Sequence, residues 1–336
     1  MGLVCCLLAL ALFCAGASAA VLPKRYDYGA TWDMYQKEDK NTIDVMFFGS
    51  SLAYCDINPA AIYDETGITS YLMAGPEQTL PVTYHYMNLA FKSQNPKVAF
   101  IEASGMLYPE HNRSTAINIC YMPWSLDRLA ATFQEAQPEE WLNLLFPLYA
   151  YHSRWPELTL EEVGEGLLGY GPDELAGYTF LQEVYPVTEL KQREMGDYPE
   201  AYEKNLQAVE DILTLCEEQG IRPVFFIVPS ANRPTDKDAA RIQEDLTALG
   251  AEFVNFNQVI GELGLDYDVD FFDSLHFNYR GAEKFSRYLG QWLSDQGLSP
   301  SQGEDEALWL QRVEHYGALR DKADREPITL SGAAKQ

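Results

Sequence analysis

Basic residues are scarce in this chain. Its 24 lysines and arginines face 50 aspartates and glutamates, a formal net charge of −26. That balance excludes nucleic acid or another polyanion as a simple electrostatic partner, because phosphates are held by cations that displace their counterions. Cysteine is scarce too, with six in all. Three of them, Cys5, Cys6 and Cys14, fall in one apolar stretch, and Cys55, Cys120 and Cys216 are scattered. An odd remainder at irregular spacing excludes a disulfide framework and a zinc pattern. Phosphate loop, zinc-protease motif and calcium loop are all missing, so no metal and no cofactor is called for. Acidic pairs such as Glu139-Glu140 and Glu161-Glu162 read as solvated helix faces rather than glycosidase acids. There is no internal repeat.

Long uncharged apolar runs are rare as well. Residues 2–22 carry no charge. About 20 apolar residues suffice to span a bilayer, and Ala17-Ser18-Ala19 resembles a signal-peptide cleavage site. Residues 1–22 therefore read as a signal peptide or membrane anchor. Either one places the rest of the chain outside the cytoplasm, secreted or held at the membrane.

Of the 336 residues, 47% are hydrophobic, ample for a large core. Residues 23–42 read as a linker. Strands are expected at 43–49, 68–74, 98–102, 223–228 and 252–256. Between them lie helices: one opened by Asn58-Pro59, then 79–93, 199–219 and 235–249, with a last one from Gly281 to about Leu293. Strands alternating with helices over short links imply an α/β domain with a parallel sheet of about five strands, over residues 43–297. Residues 106–198 break the rhythm and read as a helical insertion after the third strand, placed to wall the site. Residues 298–336 read as a polar, peripheral tail with one amphipathic piece around 307–319.

Two short stretches carry chemistry. Gly49-Ser50-Ser51 follows the first strand, and Asp273-Ser274-Leu275-His276 precedes the last helix. A serine at the carboxyl end of a central strand lies where such sheets hold ligands. A serine hydroxyl needs a base to become a nucleophile. His276 is the candidate base, and Asp273 would hold its other nitrogen. The N–H groups of Ser51 and Gly75 are the expected oxyanion donors. Candidates for a third donor or substrate contact are Gln78, Asn112, His152 and Arg154, with Glu102 orienting one of the last two.

These blocks resemble the SGNH/GDSL hydrolase superfamily. Gly49-Ser50-Ser51 stands where that family has Gly-Asp-Ser, Gly75 matches its second block, and Asp273 with His276 matches its last. The Gly-x-Asn-Asp block after the third strand is replaced by Glu102-Ala103-Ser104-Gly105. Further stretches at Ile57-Asn58-Pro59, 146–155 and 272–278 are similar to a bacterial, membrane-anchored or exported branch. More distantly, the chain looks like the SGNH proteins of teichoic-acid D-alanylation and alginate O-acetylation. The resemblance implies a flavodoxin-like three-layer α/β/α fold. It also implies an esterase or O-acyl(acetyl)transferase using Ser51, His276 and Asp273 on an acyl ester of a carbohydrate or cell-wall polymer. A membrane-bound acyltransferase is a further partner it implies. A non-catalytic surface module that binds an envelope polymer, or assists such an acyltransferase, is the alternative.

Overall fold

The computed structural model describes residues 2–22, 32–169, 171–301 and 306–328, with backbone only at 3, 7, 11 and 166. Part of the expected linker (23–31) and parts of the expected tail (302–305 and 329–336) lie outside the described residues.

Helix α1 (Gly2–Val21) and a short α2 (Trp32–Tyr35) precede strand β1 (Val45–Gly49). Then come α3 (Ser51–Asp56), α4 (Pro59–Thr66), β2 (Ser70–Ala74), α5 (Leu80–Ala90) and β3 (Val98–Glu102). The insertion contributes α6 (Thr115–Tyr121), α7 (Leu126–Glu135), α8 (Trp141–Leu145), α9 (Pro147–Tyr151) and α10 (Leu160–Leu168). After it come β4 (Lys191–Arg193), α11 (Pro199–Gln219), β5 (Arg222–Ile227), β6 (Asn232–Pro234), α12 (Asp236–Ala248) and β7 (Glu252–Asn255). Helices α13 (Tyr279–Asp295) and α14 (Glu306–Arg325) close the described chain.

Five strands form one parallel sheet in the order β2-β1-β3-β5-β7. This is the flavodoxin-like arrangement, with β1 held between β2 and β3. Every residue of β1, β2 and β3 is buried, because helices cover both faces and parallel strands need such cover. The alternation of side chains sorts the core in two. Met46, Phe48, Met73, Ile101 and Phe225 pack on one face against α5, α11 and α12. Val45, Phe47, Leu72, Phe100 and Phe226 pack on the other against α3, α4 and α13.

The helix starts follow local chemistry. Asn58 Oδ1 accepts from Ala60 N–H at 3.0 Å, with Pro59 in the first turn where its missing N–H costs nothing. Thr235 and Asn278 cap α12 and α13 in the same way.

Two expectations need correction. The insertion is helical only as far as Leu168. Beyond it, Gly169, Gly171, Pro172, Gly177 and Pro186 break helical pairing, and the chain runs as an extended strap. The strap is pinned by backbone bonds: Leu72 N–H to Ala176 C=O at 3.0 Å, and Tyr185 N–H to Phe271 C=O at 2.8 Å. At Gly177 the approach to β2 is so close that a Cβ would sit 2.2 Å from Leu72 O.

The tail is not peripheral either. Trp309 and Tyr316 on α14 are buried, and Trp309 stacks on Tyr63 with ring centroids 5.2 Å apart. Arg312, 1% exposed, pairs with the buried Glu38 and donates from Nε to Asp173 C=O at 2.9 Å. A polar composition hid this face, because arginine reads as a surface residue until its partner is known.

Breaking a buried ion pair strands a charge. Arg312→Ala is expected to destabilise the fold by about 3–5 kcal/mol, read as a lowered midpoint in chemical denaturation. A midpoint unchanged from the parent would show that the pair contributes nothing.

Candidate active site

Ser51 is the first residue of α3, directly beyond the carboxyl end of β1. The turn that delivers it is tightly fixed. Gly49 has φ +141°, and a Cβ there would meet Glu102 Cβ at 2.4 Å, so only glycine fits. Ser50 caps α3, its Oγ accepting from Leu52 N–H at 3.3 Å. The same hydroxyl donates to Glu102 Oε2 at 3.0 Å, while Ser104 N–H donates to Glu102 Oε1 at 2.8 Å. An aspartate at position 50 would set a second carboxylate against Glu102. Serine supplies a hydrogen instead, which gives a physical reason for the residue found there.

Glu102 is 1% exposed. Burial raises its pKa, and the bonds from Ser104 and Ser50 only partly oppose the rise.

Opposite Ser51 a tight loop presents the candidate base, His276. Phe271 and Phe277 pair across its neck, both fully buried with ring centroids 5.2 Å apart. At its tip Asp273 Oδ1 accepts from Leu275 N–H (2.7 Å) and His276 N–H (2.8 Å). His276 Nδ1 lies 3.1 Å from both carboxylate oxygens of Asp273. His276 Nε2 lies 2.9 Å from Ser51 Oγ. Burial pushes the Asp273 pKa up, but the hydrogen bonds and charge of His276, with the two backbone donors, outweigh it, and the net shift is downward. The structure therefore brings Ser51, His276 and Asp273 together in one hydrogen-bonded row.

Asp56, at the last turn of α3, ties the two halves of this row. Its Oδ1 accepts from Phe277 N–H at 2.8 Å, next to His276 in the chain. Asp56 is fully buried, and its Oδ2 has no hydrogen-bond partner among the described residues. Burial, together with the charges of Asp273 and Glu102, raises its pKa well above the ordinary value. A neutral hydroxyl tolerates that position far better than a bare charge.

The other expected residues divide. Gly75 stands beside Gly49 at the sheet's carboxyl edge, but its N–H donates to Gly49 C=O at 3.0 Å and is not free for an oxyanion. Gln78 is buried nearby, donating to Thr83 Oγ1 at 3.0 Å, with its Oε1 unpartnered among the described residues. Asn112 holds its own turn, donating to Glu77 C=O at 2.9 Å and accepting from Ser114 N–H at 2.9 Å.

His152 and Arg154 do not contact the row. His152 is exposed, with Nδ1 2.7 Å from Tyr149 C=O. Arg154 donates to Val21 C=O (2.7 Å) and Glu162 Oε1 (2.8 Å), so it serves α1 and α10. Glu102 accordingly orients neither of them.

Two residues went unread in the sequence. Asn118 on α6 is buried, donates to Pro76 C=O at 3.0 Å and sets its Oδ1 against Gly75, where a Cβ would be 2.1 Å away. The signal was a lone amide inside the apolar run Ala116-Ile117-Asn118-Ile119. Arg193 on β4 lies close enough for its charge to oppose the rise in the Glu102 pKa. Its Nε is buried without a hydrogen-bond partner among the described residues. No sequence pattern announced it.

No known sequence-family profile matches the chain, and no curated protein matches it. Among solved structures it is similar to an acetyl xylan esterase at 9% identity and a TM-score of 0.36, over 76% of this chain and 100% of that one. It is also similar to a "putative acylhydrolase" from Bacteroides fragilis at 13% identity and a TM-score of 0.35, over 82% of this chain and 99% of that one. Likenesses this loose decide nothing about the chain's chemistry, which rests on its own geometry.

The carboxyls give a pH signature. The raised pKa of Asp56 favours its protonated form in the fold, while the unfolded group ionises in the ordinary carboxylate range, so its contribution to stability falls as pH rises above that range. Asp273 has the opposite sign: its stabilisation is present above the unfolded pKa and is lost as pH falls through the folded one. Asp56→Asn keeps the acceptor for Phe277. Its stability relative to the parent should grow with pH from about 4 to 7, by at most ~1.4 kcal/mol per unit. Thermal melts across that range check this, and a constant difference would mean that Asp56 is ionised in the fold.

Proposed function

We propose that this protein is a serine-dependent ester hydrolase or O-acyltransferase of SGNH type, acting through an acyl-enzyme on Ser51. The observation that carries this reading is the row Ser51 Oγ to His276 Nε2 at 2.9 Å and His276 Nδ1 to Asp273 at 3.1 Å. An Nδ1–H donated to the ionised Asp273 leaves Nε2 as the acceptor that faces the hydroxyl.

Ser51 Oγ attacks the ester carbonyl carbon and gives its proton to Nε2. The carbonyl oxygen takes the negative charge and meets the Ser51 N–H, which as the first of a helix has no partner within α3. The carbon–oxygen ester bond then breaks, and the leaving alcohol departs with the proton from His276. Water or a sugar hydroxyl reverses the sequence and frees Ser51. With the Gly75 N–H engaged, the second hydrogen of the Asn118 amide is the proposed further donor, and Arg193 takes the substrate-gripping role that Arg154 cannot.

Hydrolysis and transfer differ in whether water is kept from the acyl-enzyme. The side chains of His276 and Asp273 are 15% and 29% exposed. That openness supports hydrolysis in the described state. The apolar α1 supports an extracytoplasmic setting and an acyl ester of an envelope glycan or polymer as substrate. One observation favours the rival reading of a non-catalytic binding module: the second block glycine offers no free N–H.

Labelling with a fluorophosphonate probe separates the two. The parent is expected to label at Ser51 and Ser51→Ala is not, whereas a folded parent that stays unlabelled supports the binding module. Ser51→Ala and His276→Ala should each lower kcat/KM on p-nitrophenyl acetate by about 10⁴-fold or more, with unchanged melting behaviour. Asn118→Ala is expected to lower kcat by about 10²-fold, and full turnover in that variant would remove Asn118 from the oxyanion site.

A further inference from the structure

Large apolar side chains crowd the surface of the insertion. Leu160 is 93% exposed, Leu168 84%, Tyr149 59%, Phe146 57% and Trp155 47%. Leu160, Leu167 and Leu168 recur at the spacing that places them on one face of α10. A soluble surface seldom collects such residues without a partner.

Their position names the partner. Helix α1 is long and apolar enough to cross a bilayer, about 30 Å at 1.5 Å per residue. Among its described side chains the packed ones lie at the carboxyl end: Ala17, Ala20 and Val21 are buried, while Leu12 and Phe13 remain 73% and 68% exposed. That packed end rests on α9 and α10. A Cβ on Gly16 would lie 3.5 Å from Leu167 Cδ2. Arg154 fastens the junction. Its guanidinium donates to the last carbonyl of α1, where a cation also suits the helix dipole, and pairs with Glu162 of α10. The exposed aromatic and leucine side chains thus lie at the level where α1 would leave a membrane. Tyrosine and tryptophan are enriched at that depth, with an apolar body in lipid and a polar edge in water.

We infer that residues 146–168 form a second membrane-contacting surface, continuous with α1, whose apolar side chains are covered by the headgroup–acyl boundary of a lipid bilayer. Glu157 and Glu161 are exposed on the same stretch, so attraction to anionic headgroups does not hold it there. Burial of apolar side chains does. The catalytic domain is then seated against the membrane rather than hanging from a single helix.

The test uses the full chain reconstituted in phosphatidylcholine vesicles whose acyl chains carry bromine near the headgroup. Flotation with the vesicles first establishes insertion. Tryptophan emission is then compared between the parent and Trp155→Phe, a mild change at a half-exposed site. The expected result is quenching in the parent, a distinct share of which is lost in Trp155→Phe. In Leu160→Glu/Leu168→Glu, which still floats through α1, that Trp155 share should fall. A chain that does not float, or equal quenching in the parent and Trp155→Phe, overturns the inference. In the second case the surface stands clear of lipid, as it would if a protein partner covered it.

Discussion

Helix α3 is pinned at both ends by buried carboxyls, and the candidate site depends on that. At its start Glu102 holds the Ser50 hydroxyl, and the glycine before it lets the two strands close to contact. At its end Asp56 holds the backbone beside His276. The serine and the base come from segments 225 residues apart. A 2.9 Å contact between them requires both segments to be referred to the same short helix. Neither carboxyl needs to touch substrate for this. Each acts by removing freedom from a residue adjacent to one that would.

Three carboxyls stand close around α3, and their pKa values do not move together. Asp273 receives the imidazole and two N–H donors and goes down in pKa; Asp56 receives one donor and goes up. Glu102, with two donors but far more buried than Asp273, also goes up. Burial pushes all three upward, and at Asp273 the hydrogen bonds and charge of His276, with the two backbone donors, turn the net shift downward. The carboxyl that faces the histidine is the one whose charged form the surroundings favour. That is the one place where a negative charge would stabilise a proton arriving at Nε2.

The strands and the row of three were legible because their signals are local. Continuous apolar runs mark parallel strands, Asn58-Pro59 marks a helix start, and Asp-x-x-His places two side chains on one turn. What escaped was set by distant partners. Arg312 reads as a surface cation until Glu38, 274 positions away, is set beside it. Glu102 reads as an orienter of His152 or Arg154 until it is seen to hold the Ser50 hydroxyl instead. The Gly75 position was legible, but its N–H was not, because strand pairing with Gly49 engages it. Arg154 had the right chemistry for an anion site, and α1 uses it for a helix carbonyl instead.

That last displacement bears on how the two ends of the insertion are related. Asn118 sits at the amino-terminal end of the insertion's helices, against the glycine beyond β2, and Arg154 sits near the carboxyl-terminal end, against α1. Between them the helices pack in sequence, α6 on α7, α7 on α8 and α8 on α9. One run of packed helices thus joins the carboxyl end of α1 to the glycine beside the candidate site.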